Sequence, residues 1–374
     1  MLVRSISRSL WGSLMLIHKR EISKRRKELM ARLEPNSIAL LVADSPKVRN
    51  NDAEYLYRQD SDFYYLTGFA EQDAVLALIP GRKQGEVVLF CQEKDKLKEL
   101  WSGIILGQKA ACEDLGMDLA HSIRDIDEIL PGLMEGRDHI YYAIGKNEKF
   151  DVQVMDWVKM IRKKSNLEAH APSEFLLLDN LLHELRLFKS PAEIKLMKHA
   201  AKISAEGHKR AMACCKPGAN EYELEAELLY AFTRSGSRAP AYTSIVGSGD
   251  NTCILHYDTN NAEIKEGDLV LIDAGCEYEY YASDITRTFP ANGKFNREQK
   301  AIYDQLAVAF GKNGIQALII ESAIPQLQDA ANQLLARLTD NRIQITIESL
   351  RDLKKGGTKE TMDIKIADEL GERP

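Results

Sequence analysis

Between Ser37 and Gln92 the apolar residues gather into four short runs, SIALLVAD, DFYYLTGF, AVLALIPG and GEVVLFCQ, each bounded by Gly, Pro, Asn or charged residues. Runs of this length, rich in β-branched and aromatic side chains, predict strands. Helical stretches near 95–116 and 150–164 and a further strand-like segment at Asp138–Ala143 complete the first part of the chain. Strands alternating with helices predict an α/β arrangement.

A new start is written at Ser190-Pro191-Ala192-Glu193. Serine can cap a helix, proline suits its first position, and a glutamate three residues after the cap can reach back to it. The helix so begun carries Ile194, Met197 and Ala201 at helical spacing and stops at Lys216-Pro217-Gly218. A second helix is predicted from Asn220, with Leu224, Leu228, Ala231 and Phe232 on one face and Gly236 closing it. Beyond it TSIVGSG, CILHY, GDLVLIDAG and SDITRTF read as short strands. Helices are predicted from Asn296 to Leu318 and from Ile324 to Leu338.

Composition narrows the class. At 374 residues, on a usual scale of roughly 100–200 residues per domain, two domains are expected. They are read as 21–180 and 181–374, after a basic extension over 1–20. A balance of 50 basic against 56 acidic side chains leaves no surplus for a phosphate-binding surface, so nucleic acid is excluded as a partner. No stretch reaches the roughly 18 uncharged apolar residues of a membrane span, so no membrane is expected either. Six cysteines without C-x-x-C spacing read as thiols in a reducing compartment, and a cytoplasmic location is expected. The first twenty residues qualify that: Arg4, Arg8, Lys19 and Arg20 are interleaved with serines, and no acid precedes Glu21. Such a composition suits a mitochondrial or other organelle transit peptide, an over-extended start before Met15, or a short basic helix.

The chemistry concentrates in residues 267–290, GDLVLIDAGCEYEYYASDITRTFP. LVLID is an apolar strand that ends in a carboxylate, Asp273, whose charge needs a partner or a metal. Asp284 lies eleven residues on, at the start of the next strand-like run. If those strands form a hairpin, the two carboxylates face each other. Close carboxylates repel unless a proton or a cation intervenes, and hard oxygen donors suit manganese, magnesium or calcium. The alternative is that both acids cap turns or pair with Arg287. Gly247-Ser248-Gly249 lacks the further glycines and the lysine of a phosphate loop and reads as a turn.

HY at 256–257, LVLIDAG at 269–275 and SDITRTFP at 283–290 resemble the metallopeptidase family that contains aminopeptidase P, prolidase and methionine aminopeptidase. YRQDSDFYYLTGF at 57–69, ELRLFKSP at 184–191 and IVGSGDNTCILHY at 245–257 bring the resemblance closest to aminopeptidase P. The resemblance runs from about residue 20 to about residue 305. It implies a creatinase-like N-terminal α/β domain and a pita-bread α+β catalytic domain, and an Xaa-Pro aminopeptidase acting on proline-containing peptides. Carried over by motif, Asp273 and Asp284 are two metal ligands, with manganese the usual ion. His256 matches a catalytic histidine, Tyr242 a substrate-pocket tyrosine, and Trp101 a tryptophan lent between subunits of a homodimer or homotetramer. For Tyr242 and Trp101 a packing role is the alternative.

The chain departs from that pattern after Asp284. His256 is its last histidine, and residues 343–374 match no motif of the family. Glu348 and Glu360 could be offered as substitute ligands, but neither lies in a recognisable strand motif. A chain truncated within its catalytic domain, aggregation-prone and with little or no peptidase activity is therefore expected. A non-catalytic pita-bread module that binds peptides or proteins is the alternative.

Overall fold

The computed structural model describes residue 17 and residues 19–164, 170–311, 314–339, 342–352, 358–368 and 371–373. Most of the basic extension expected over 1–20 therefore lies outside the described residues. Two compact units are formed. The first comprises Met1–Cys214, Tyr222–Ile245 and Ile272–Arg287, and the second Cys215–Glu221, Val246–Leu271 and Thr288–Pro374.

The first unit opens with helix α1 (Lys19–Met30), strand β1 (Ser37–Val42), a small hairpin of β2 (Val48–Asn50) and β3 (Ala53–Glu54), α2 (Ser61–Thr67), β4 (Val75–Leu78) and β5 (Val87–Cys91). It continues through α3 (Lys96–Ser102), α4 (Gly107–Leu115), β6 (Leu119–Ser122), α5 (Ile126–Met134), β7 (His139–Tyr142), α6 (Glu148–Lys163), β8 (Glu174–Leu177) and α7 (Asp179–Leu187). The strands form one sheet in the order β6-β5-β4-β1-β7-β8, with β1 parallel to β7 and antiparallel to β4. Helices cover both faces. Ala39 and Leu41 of β1 pack with Leu29, Phe63, Leu66 and Leu115 on one side. Ile38 and Leu40 pack with Leu130, Met134, Trp157 and Ile161 on the other. Burial on both faces explains why these strands read as unbroken apolar runs.

One of the four expected strands is a helix. DFYYLTGF lies largely in α2, because the Asp60 carboxylate accepts from the backbone N–H groups of Asp62 and Phe63 and Gly68 ends the turn in the left-handed region at φ 64°. Those two caps satisfy the terminal backbone groups of a segment whose aromatic residues alone suggest a strand. The helical stretch at 95–116 is two helices, α3 and α4, parted at Gly103.

Helix α8 (Pro191–Cys214) begins with the expected capping box: Glu193 N–H donates to Ser190 Oγ at 3.2 Å, and Ser190 N–H donates to Glu193 Oε2 at 2.8 Å. Its buried face is Leu196, Ala200, Ile203 and His208, whereas Ile194 and Met197 face outward. Helix α9 (Glu221–Arg234) buries Leu224, Leu228 and Phe232 as expected.

The strands β9 (Ala239–Pro240), β10 (Ile245–Ser248), β11 (Leu269–Asp273), β12 (Cys276–Tyr278), β13 (Tyr281–Ala282) and β14 (Thr286–Pro290) form two three-stranded sheets, β10-β11-β14 and β13-β12-β9. CILHY is not a strand. A 3₁₀ turn over Gly249–Cys253 is followed by a loop that is held through side chains: Tyr257 Oη donates to Glu221 Oε2 at 2.7 Å, and Asn260 Oδ1 accepts from Val246 N–H of β10 at 2.9 Å. The long helix expected at Asn296–Leu318 ends at Ala309 as α10 (Arg297–Ala309), which starts with an Asn296/Gln299 capping box. A separate helix, α11 (Ile315–Thr339), runs through Pro325. An antiparallel sheet of β15 (Ile343–Asp352), β16 (Thr358–Asp368) and β17 (Gly371–Arg373) follows, which the sequence reading did not anticipate.

Candidate functional site

Strand β11 is apolar until its last residue. Val270 and Ile272 are buried, and Asp273 ends the strand half-buried. The chain then folds back through the antiparallel pair β12–β13 and returns at Asp284, which is exposed. Ala274 N–H donates to the Ile285 carbonyl oxygen at 3.1 Å, so the residue after one aspartate is tied to the residue after the other. Only glycine fits between the two arms, since a Cβ on Gly275 would lie 1.7 Å from the Ser283 carbonyl oxygen.

Helix α8 supports this crossing from behind. His208 Nε2 and the Ala274 carbonyl oxygen are 3.0 Å apart, and Cys276 N–H donates to Ser204 Oγ at 2.9 Å. Burial holds the His208 pKa below its ordinary value, opposed by its bond to Ala274. The imidazole is therefore the neutral form with Nε2 as donor.

The two carboxylates converge on one proton. Tyr242 Oη donates to Asp273 Oδ1 at 2.5 Å and lies 3.1 Å from Asp284 Oδ1. Burial, reinforced by the bond to Asp273, pushes the phenol pKa up, so Tyr242 serves as a neutral donor. Arg287, the alternative partner for the acids, donates instead to the Thr286 carbonyl oxygen at 2.7 Å. The structure thus brings Tyr242, Asp273 and Asp284 together. It gives Tyr242 a polar role rather than a packing one.

These donors make part of a metal shell and not a whole one. Hard carboxylate oxygens fit two ligand positions of a divalent cation. Among the described residues no group of three or more His, Cys, Asp or Glu side chains could hold a metal ion. No chemical step can be derived through a metal from this donor set alone. The side chains of Glu348 and Glu360 lie outside the described residues.

His256 belongs to the second unit and is exposed on the loop that follows the 3₁₀ turn. Trp101 on α3 is 93% exposed, with Leu97 and Leu100 also outward, so it is no core aromatic.

Residues 22–141 match the family described as Aminopeptidase P, N-terminal domain, and residues 195–355 match Metallopeptidase family M24. The chain is 47% identical over 289 residues to the Xaa-Pro aminopeptidase of Escherichia coli (strain K12), an overlap covering 77% of this chain and 66% of that protein. It is 40% identical over 311 residues to the Xaa-Pro aminopeptidase of Haemophilus influenzae, covering 83% of this chain and 70% of the relative. The chain belongs to the aminopeptidase P family. Among solved structures, Pseudomonas aeruginosa aminopeptidase PepP superposes with a TM-score of 0.77 at 58% identity, covering 78% of this chain and 66% of that one. This family member therefore has the α/β N-terminal domain of aminopeptidase P followed by the pita-bread fold of the metallopeptidases. It spans about two thirds of the length of these relatives, 66% and 70% of the two enzymes above.

Two supporting side chains are not marked in the sequence, His208 bonded to Ala274 behind the aspartates and Glu221 bonded to Tyr257 beneath the His256 loop. His208 sits inside a helix with ordinary apolar periodicity, where nothing local distinguishes it. A glutamate opening a helix right after a Pro-Gly stop is the one available signal for Glu221.

Proposed function

We propose that this chain carries part of the active site of a metal-dependent Xaa-Pro aminopeptidase, which releases the first residue of peptides with proline in second position. The observation that carries the reading is the convergence of Asp273 and Asp284 on the single phenol proton of Tyr242. Two anions sharing one donor remain short of positive charge, and a divalent cation answers both. The Xaa-Pro aminopeptidases at 47% and 40% identity support the substrate class. Proline in second position also explains the need for a dedicated enzyme, because its nitrogen has no hydrogen and its ring limits approach.

Manganese is the proposed ion. Zinc is the competitor, since one related structure is zinc-substituted E. coli aminopeptidase P in complex with product. A bound cation would supply Lewis acidity. Asp273 and Asp284 would hold it, Tyr242 would keep the two carboxylates convergent, and His256 would contact the substrate.

The test is hydrolysis of a peptide with proline second, beside its alanine counterpart, with saturating manganese, with zinc, and with neither. Cation-dependent release from the proline peptide alone, abolished by Asp273→Asn, is the expected pattern. Equal release from the alanine peptide, or indifference to Asp273→Asn, would remove the reading. Because no third ligand stands among the described residues, the second reading is a non-catalytic peptide-binding module. It requires the proline peptide to bind equally well without cation and to remain uncleaved.

We also propose domain limits at 21–180 and 181–374 and a cytoplasmic location, supported by six cysteines that are all unpaired. Delivery to an organelle through the basic N-terminal segment is the competing proposal, and one relative is the Arabidopsis thaliana protein named Intermediate cleaving peptidase 55, mitochondrial. The outward Leu97, Leu100 and Trp101 support self-association as a dimer or tetramer. Sedimentation of the Trp101→Ala variant as a smaller species is the expected result.

A further inference from the structure

Glu221 is fully buried at the start of α9, yet it is a carboxylate. Its two oxygens accept five hydrogen bonds. Oε1 accepts from Ser248 N–H at 2.7 Å, Ser248 Oγ at 2.8 Å and Asn251 Nδ2 at 3.2 Å. Oε2 accepts from Tyr257 Oη at 2.7 Å and Ala262 N–H at 2.9 Å. Asn251 Nδ2 also reaches Tyr257 Oη at 3.1 Å, which closes the ring of bonds.

Every one of those donors lies on the segment 248–262. Beside them stand the 3₁₀ turn over Gly249–Cys253, the Ile254 N–H bond to the Asn251 carbonyl oxygen and Asn260 Oδ1, which accepts from Val246 N–H at 2.9 Å. After that turn residues 254–262 run without strand or helix, and such a loop takes its form from side chains that satisfy its backbone. The carboxylate therefore sits at the hub, and the loop tip stands out from it. Leu255 is 90% exposed, His256 is exposed, and Tyr257, the next residue, is buried on Glu221. His256 makes no hydrogen bond or ion pair of its own among the described residues, so the direction of its ring is inherited from its neighbour.

We infer that Glu221 is a positioning residue that sets the loop carrying His256. The inference rests on the proposed reading of His256 as the histidine that contacts substrate. Its mechanics do not depend on that reading. Neutral glutamine in the same place offers one acceptor oxygen and one donor nitrogen. One half of the ring, three donors or two, would then face another donor.

The experiment compares wild type, Glu221→Gln and the milder Tyr257→Phe, which removes one of the five donors and leaves the carboxylate. Hydrogen exchange is followed across the chain, and the imidazole resonances of the eight histidines are recorded well below the melting temperature. Glu221→Gln is expected to speed exchange within 248–262 by about tenfold or more, the equilibrium equivalent of one lost strong hydrogen bond, while α8 keeps its protection. The His256 resonance should move or broaden, and those of His121 and His139 in the first unit should stay. Tyr257→Phe should give the same pattern at smaller amplitude. Acceleration spread evenly over the chain, or an unmoved His256 signal with a loosened loop, would overturn the inference. If Glu221→Gln does not fold, Tyr257→Phe decides alone. In wild type active on a proline peptide, Glu221→Gln should lower kcat with little change in the folded fraction. A loosened loop and a moved His256 in a wild type without turnover would uphold the positioning role and count against the catalytic reading of His256.

Discussion

Two groups of acidic side chains behave oppositely in this protein. Glu221 is enclosed, and five donors surround one negative charge. Asp273 and Asp284 stand at the end of a strand and the start of the next, and one phenol proton is shared between two negative charges. The first carboxylate is fully solvated by its own protein and has nothing left to bind. The second pair has one protein donor between two charges and is open to a cation. The same chemical group is a structural anchor in one place and a ligand in waiting in the other, and the ratio of donors to charges decides which.

Removing the anchor should cost most. Glu221→Ala strands the Ser248 and Ala262 N–H groups and the Tyr257 hydroxyl in a buried space, and a loss of about 3–5 kcal/mol is expected in urea unfolding. A loss below about 1 kcal/mol would mean that the donors find other partners and that the ring is no anchor. The pH dependence sharpens the point. Burial alone would raise the Glu221 pKa, but the bonds from Ala262, Tyr257, Asn251 and Ser248 outweigh it and hold the group below its ordinary value. A depressed folded pKa contributes stability that is complete above the unfolded value of about 4.3 and is lost as pH falls through the folded value. Tyr257 is the titratable group that contacts Glu221, and burial pushes its pKa up, so it stays a neutral donor throughout that range. The gap in stability between wild type and Glu221→Gln should thus be flat near neutrality and close only in acid.

The ligand pair should fail differently. Asp273→Asn should weaken manganese binding by about 10- to 100-fold in calorimetric titration while the melting temperature without cation hardly moves. An unchanged affinity would place the cation elsewhere. Asp284→Asn should instead stabilise the cation-free protein by about 1 kcal/mol or less, because it removes one of two like charges and leaves Tyr242 bonded to Asp273. Destabilisation of several kcal/mol, the size expected at Glu221, would show that Asp284 is anchored in the same way, and the contrast would dissolve.

Much of this layout was legible from residue order, for reasons that can be named. The capping box at Ser190–Glu193 and the apolar strand ending in Asp273 are local patterns whose physics stays within a few residues. The hairpin that brings Asp284 back to Asp273 follows from an eleven-residue spacing, with glycine at 275 where the two arms approach. What was not legible depends on distant partners. Tyr242 lies 31 residues from Asp273, and its hydroxyl direction is set only when the strands close. Glu221 and Tyr257 are 36 residues apart, and CILHY looks like a strand until that carboxylate takes its donors. DFYYLTGF was misread because two capping groups outweigh the strand preference of its aromatics. In the charged run after residue 343 the signal is weaker: IQITI alternates Ile with polar residues, the pattern of a strand, over only five positions.

The smallest expected effect lies in the hairpin that joins the two aspartates. Its turn puts Glu279 at φ 49° and Tyr280 at φ 67°, two left-handed residues where a two-residue hairpin loop favours Asn-Gly. Tyr280 is compensated, since its ring stacks on Tyr64 at 3.7 Å and lies under the Arg58 guanidinium at 5.1 Å. Glu279 is not: its carboxylate has no hydrogen bond or ion pair among the described residues, and burial pushes its pKa up. Glu279→Asn should therefore stabilise the protein by about 0.5–1 kcal/mol, whereas Tyr280→Gly should be near neutral as relieved strain offsets a lost stack. If the hairpin merely connects the two ligands, manganese affinity is the same in both variants. A change in affinity would mean that turn geometry reaches the carboxylates, and the pair would then be tuned by strain as well as by its single shared donor.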